Sequence, residues 1–213
     1  MPASTSVPTP PDTVTLDPLI HEWPAGGPIV RCHDAEFGAT EFNRTRSEGR
    51  FRPVRTNGRV VGTIYAAEDD AGAIAESVFR PVPVSGVKRV IRARLEPVLL
   101  STLVCTRTLR LASLHGHGPR RVGATRAQLI DSEAERYPEL AAWGQALHDC
   151  PAAPDGIVWR SRHYDDSYAF LLFGDRVGRR ELQVTQPPLP LAVGRGLERV
   201  MELAERAGIA VID

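Results

Sequence analysis

Apolar and polar residues recur along this chain with two different periods, and the switches between them outline its elements. Pro28-Ile29-Val30-Arg31-Cys32 predicts a short buried strand ending on Arg31. The stretch from Phe37 to Pro53, rich in Gly and Arg, reads as a long loop. Val60 to Ala66 has the β-branched content of a buried strand. Asp69 and Asp70 then offer N-caps to a helix running through Ala73, Ile74, Ser77 and Val78. Arg89 to Leu95 alternates apolar and basic residues as a strand with one wet face, and Val98 to Val104 and Leu109 to Leu114 continue the extended pattern.

Between Ala124 and Leu147 the period becomes helical, with Leu140, Trp143, Ala146 and Leu147 on one face and Pro138 suited to a first turn. Gly156 to Trp159 and Tyr168 to Phe173 read as two strands joined by the polar stretch Arg160 to Asp166. Leu197, Val200, Met201 and Ala204 mark an amphipathic helix stopped by Gly208 and followed by Ile209 to Ile212. The mixed order of elements, without repeats, predicts an α+β fold with helices covering a sheet, in one domain. Met1 to Asp12 is rich in Pro, Ser and Thr. We place a flexible leader over residues 1–20 and the domain over residues 21–213.

Composition narrows the function classes. A formal net charge of zero supplies no general pull toward nucleic acid or an anionic membrane. No apolar run reaches the roughly 18 residues of a membrane span. Cys32, Cys105 and Cys150 are widely spaced and form no C-x-x-C pair, so neither a disulfide framework nor a zinc site is suggested, and a reducing cytoplasm fits. Lys88 is the only lysine among 26 basic side chains, so clustered arginines carry little weight by themselves.

Some residues stand out chemically. Glu76 lies on its helix among Ala71, Ala73, Ile74, Ala75 and Val78, where a carboxylate needs a partner or a purpose. Ser161 has no G-x-S-x-G surroundings and no His-Asp relay, which argues against a serine nucleophile. His115-Gly116-His117 provides two histidines with no third spaced ligand, and no metal is assigned.

Four segments in fixed order carry a family resemblance: Arg31 after its apolar strand, Gly49-Arg50-Phe51, Tyr65 with Glu76, and Asp155 to His163. Together they resemble the RES-domain family over about Arg31 to Phe173, Leu109-Arg110-Leu111 and Gly123-Ala124-Thr125 included. The chain departs from the family's Gly-Gly-Arg-Trp run, with Glu48 in place of one Gly and Phe51 in place of the Trp.

The resemblance implies a fold like that of the ADP-ribosyltransferase toxins, with central mixed or antiparallel sheets flanked by helices, and an enzyme that degrades NAD with phosphate or water as acceptor. NAD is then a substrate and no cofactor is required. It implies that Glu76, Arg31 and Tyr65 are catalytic: Glu76 stabilises positive charge at the anomeric carbon, Arg31 holds pyrophosphate or ribose, and Tyr65 packs the nicotinamide end. Arg50, Ser161, Arg162 and His163 are implied to bind substrate or an acceptor phosphate. The partner implied is a helix-turn-helix antitoxin, and a homodimer is left open. Two alternatives use the same fold: transfer of ADP-ribose to a macromolecule, and a non-enzymatic interaction module.

Overall fold

The computed structural model describes residues 6–44 and 49–213. After β1 (Ile20–Trp23) and β2 (Pro28–Asp34) a long loop leads to a small hairpin of β3 (Arg55–Thr56) and β4 (Arg59–Val60). Asn57 and Gly58 close it at φ 48° and 73°, the pair of positive angles that a two-residue type I′ turn requires. β5 (Thr63–Ala67) feeds α1 (Asp70–Ile74), which continues as a π-helical turn over Ala75–Phe79. Asp69 caps α1, its Oδ1 accepting from Gly72 N at 2.7 Å.

β6 (Arg89–Ile91), β7 (Val98–Cys105) and β8 (Leu109–Ser113) follow, then α2 (Gly118–Arg121), α3 (Arg126–Leu129) and α4 (Tyr137–Asp149). The chain finishes with β9 (Gly156–Arg160), β10 (Tyr168–Phe173), β11 (Leu182–Val184), β12 (Leu189–Pro190), α5 (Gly194–Arg206) and β13 (Ala210–Ile212). Among the described residues nine strands form one mixed sheet, in the order β1-β8-β9-β10-β5-β2-β7-β11 with β12 also on β7. Only β8 and β9 run parallel within it, and β6 and β13 form a separate parallel pair. The fold is α+β, as the order of elements predicted.

Three apolar clusters hold the sheet. On one face, α4 and its neighbours bury Trp143, Leu140 and Leu147 against Ile157, Trp159 and Leu171 of β9 and β10. Further along the sheet, α1 and α5 cover Val30 and Leu100 with Ile74, Val200 and Leu203. The opposite face closes on Ile29, Ile64, Leu103, Leu109 and Phe170.

Several elements differ from the sequence pattern for identifiable reasons. The strand expected over Arg89 to Leu95 stops at Ile91, and a 3₁₀ turn over Arg92–Leu95 swings Leu95 into the core. The apolar stripe of α5 is turned relative to expectation: Val200, Leu203 and Ala204 are buried, while Met201 is 53% exposed. The helical stretch from Ala124 breaks after α3, where Ser132 Oγ donates back to Gln128 O at 2.9 Å. Of the leader expected over residues 1–20, the described part is laid on the domain. Val7 packs against the first cluster, Leu16 is buried, and Pro8 O accepts from the buried indole N–H of Trp143 at 2.6 Å. No helix of the described residues is long and apolar enough to cross a membrane.

Candidate active site

The site lies where the sheet comes apart. β2 and β5 are neighbours, yet they share a single register pair, Val30 with Ala67. Past that pair the strands diverge, and a cavity of about 630 Å³ opens in the gap. Because it enters between two strands, residues from both sheet faces reach it: Arg31, Cys32 and His33 in succession from β2, and Tyr65 and Ala66 from β5. Its size is that of a site for a small ligand.

Six of the seven residues singled out in the sequence line this cavity: Arg31, Arg50, Tyr65, Glu76, Arg162 and His163. Glu76 is placed by the π-helical turn after α1, whose wider winding breaks the α-helical phase at that residue. Its Oε1 accepts from Ser161 Oγ at 2.6 Å and from Arg162 N at 3.0 Å. Oε2 takes no hydrogen bond from the described residues. One carboxylate oxygen is thus fixed by the protein and the other is left to the cavity.

Ser161 is the seventh residue, and the structure places it elsewhere than expected. It is fully buried and does not line the cavity. Besides donating to Glu76, Ser161 Oγ accepts from His163 N at 3.1 Å and Tyr164 N at 3.0 Å. Its bonds hold the turn after β9 and the Glu76 carboxylate together. His163 stands exposed at the rim. Its imidazole pKa is lowered, by desolvation first, with Arg162, Arg80 and Arg50 adding to the effect and Glu76 opposing it.

The arginines divide by occupation. Arg31 is 8% exposed; its Nη1 donates to Ala39 O at 3.0 Å and Glu41 O at 2.9 Å, while its Nε is buried without a partner. Desolvation lowers the guanidinium pKa to about 10. Thr63 Oγ1, also on the cavity wall, is a second buried polar atom without a partner. Arg50, expected to grip substrate, spends both terminal nitrogens on the break after α3, donating to Leu129 O at 2.8 Å and Ser132 O at 3.3 Å. That break leaves carbonyls without helical partners, and a planar guanidinium satisfies two of them. Arg50 therefore contributes its charge and the wall itself. Arg162 likewise donates to Ser132 O at 3.0 Å and pairs with Glu133.

Tyr65 donates its hydroxyl to Arg50 O, and burial raises its pKa, so the phenol stays protonated. Its ring meets the Trp159 ring edge-on, with the Arg52 guanidinium 5.2 Å from its centroid. Phe51, in the family's Trp position, is fully buried at φ 64° and meets Trp159 edge-to-face. Glu48, the other departure, lies outside the described residues. The Cys32 thiol, also on the wall, is pushed up to about 12 by burial and is not a nucleophile at neutral pH.

Sequence reasoning missed Arg80 and Tyr137. The Tyr137 ring lies between the guanidiniums of Arg50 and Arg80, 5.6 and 5.3 Å from its centroid, and its hydroxyl accepts from Arg80. Arg80 falls four residues after Glu76, a spacing that was a readable signal. Tyr137 opens α4 far away in sequence, and no local pattern pointed to it. His115 of the His-Gly-His run lies against His21 on β1, with Nε2 and Nδ1 3.2 Å apart, away from this cavity. Among the described residues the cavity wall carries five guanidiniums and four carboxylates, Asp34, Glu41, Glu76 and Glu133, a small excess of positive charge suited to an anionic ligand.

The family model of the RES domain matches residues 28–192, a stretch containing every cavity residue named above. No curated protein matches the chain. Among solved structures, a chain of the M. tuberculosis MbcT-MbcA toxin-antitoxin complex superposes with a TM-score of 0.62 at 19% identity, covering 87% of this chain and 92% of that one. At that identity the likeness is one of fold.

Proposed function

The chain belongs to the RES-domain family, and from that premise we propose that it degrades NAD, cleaving the nicotinamide-ribose bond with phosphate or water as acceptor. The observation that carries this reading is Glu76. Its Oε1 is anchored by Ser161 Oγ and Arg162 N, and its Oε2 takes no bond from the described residues, in a cavity that five guanidiniums also line.

In the reaction the bond between the anomeric carbon and the nicotinamide nitrogen breaks. The electron pair leaves with the ring nitrogen and neutralises its pyridinium charge. Positive charge then builds on the anomeric carbon, and the anchored carboxylate stabilises it without having to reorganise. An oxygen of phosphate or of water forms the new bond, water also giving up a proton. Arg31 with its unpartnered Nε suits the pyrophosphate, and Tyr65 supplies an uncharged aromatic wall. The products are nicotinamide with ADP-ribose 1″-phosphate or ADP-ribose.

In the cell we assign the protein to the cytoplasm as the toxin of a toxin-antitoxin pair, with an antitoxin as partner. The shared fold with a chain of such a complex supports this assignment.

Purified protein incubated with NAD, with and without phosphate, tests the reading when products are separated by chromatography. Nicotinamide release is expected, with the second product reporting the acceptor. Glu76→Gln should lower kcat by about 10²- to 10³-fold with little change in KM, because the amide keeps hydrogen bonding and loses only the charge felt in the transition state. Absence of nicotinamide release, or full activity of Glu76→Gln, overturns the proposal. Label from NAD left on protein or nucleic acid would redirect it to ADP-ribosyl transfer.

A further inference from the structure

The reaction chemistry leaves unused the turn that ends β2. Phe37 N donates to Asp34 O at 3.0 Å and Glu36 N donates to Asp34 Oδ1 at 3.0 Å, which ties residues 34–37 into one closed turn. Asp34 and Phe37 both line the cavity. Phe37 belongs to none of the three apolar clusters and pairs with no other ring among the described residues, and its half-buried side chain lines the gap. Asp34 Oδ2 takes no hydrogen bond from the described residues.

The turn is held from both sides. His33 is fixed through Nε2 to Ser101 Oγ at 2.8 Å and through Nδ1 to Asp34 O at 2.9 Å. Beyond Phe37, the two Arg31 bonds to Ala39 O and Glu41 O tie down the following loop. That loop packs on the third cluster through Ala39 and Phe42, whereas Glu76 stands at the other side of the sheet with α1 and the turn after β9. The cavity thus has a reacting side at Glu76 and, at the end of β2, an aromatic ring beside an acceptor.

We propose that the Asp34–Phe37 turn is the subsite for the adenosine half of the dinucleotide, Phe37 stacking on the purine and Asp34 Oδ2 accepting a hydrogen bond from the nucleoside. Base-aromatic stacking needs a ring held in place at the cavity, and the turn supplies one. The proposal rests on the NAD reading of the cavity and deepens it by naming what recognises the non-reacting half.

Nicotinamide mononucleotide keeps the scissile bond and lacks the adenylate half, so the change that a Phe37 substitution makes in the ratio of kcat/KM for NAD over the mononucleotide reports on this subsite. The wild type should prefer NAD, Phe37→Ala should cut that preference about tenfold or more, and Phe37→Trp should restore it. An unchanged ratio in Phe37→Ala, or no preference in the wild type, overturns the subsite while leaving NAD cleavage standing. Should the wild type consume neither compound, the functional reading falls by itself, and AMP decides the subsite. A melting-temperature rise with AMP in the wild type that disappears in Phe37→Ala supports it, and no rise in the wild type overturns it.

Discussion

Ser161 shows how far a side chain's role depends on which way its strand end turns. The family resemblance implies a substrate contact for it, yet its hydroxyl is buried behind Glu76 and shared between one carboxylate and two backbone amides. Removing it leaves His163 N and Tyr164 N without their acceptor and halves the anchoring of Glu76. Ser161→Ala should therefore destabilise the fold by about 1 to 3 kcal/mol in denaturant titration and also lower kcat. The two effects separate in a double-mutant cycle. If Ser161 acts through Glu76, adding Ser161→Ala to Glu76→Gln should cost stability with little further loss of kcat. Additive losses of kcat would show an independent role. Arg50 carries the same lesson with opposite visibility: its presence at the cavity was legible, and its commitment to Leu129 O and Ser132 O depended on a helix break that a periodicity reading runs straight through.

The elements most legible in the sequence were those whose burial is one-sided and local. The capped start of α1 at Asp69, the strand β2, and the joined strands β9 and β10 follow from short-range pattern and turn chemistry, and β9 and β10 pair in the sheet. Less legible were the places where a distant segment dictates the path. The π-helical turn that places Glu76 and the break between α3 and α4 both serve contacts with residues about 80 or more positions away in sequence. Gly144 makes the point in energetic terms. It sits inside α4, where alanine is favoured by about 1 kcal/mol, but a Cβ there would stand 2.1 Å from Phe51 O, a backbone atom that cannot step aside. The close approach presses α4 onto the loop carrying Arg50 and the acceptor of the Tyr65 hydroxyl. Gly144→Ala should thus be destabilising by about 1 to 3 kcal/mol despite its better helix propensity, with a loss of turnover accompanying the shift in denaturation midpoint. A stabilised variant would mean that the helix and loop are not in tight contact.

A sheet that splits between β2 and β5 gives the protein two half-cores on the face carrying the helices, one under α4 and one under α1 and α5, with the cavity between them. The single register pair at Val30 and Ala67 is a weak seam, and the walls on its two sides converge through side chains such as Arg50, Tyr137 and Arg80. A ligand that spans the gap joins the halves as well as filling them, and anything bound only by the native state raises stability in proportion to the logarithm of its concentration. At a hundred times its Kd this amounts to about 2.7 kcal/mol, which for a chain of this length shifts Tm by roughly 5 to 10 °C. Glu76→Gln, which should hold NAD and consume it only slowly, is the protein for the measurement. Its Tm should climb steadily with NAD concentration, and hydrogen exchange should slow in β2, in β5 and in the segments after α1 and α3 that wall the cavity. Protection confined to one side of the seam would place the ligand against a single half and remove the gap from the binding site.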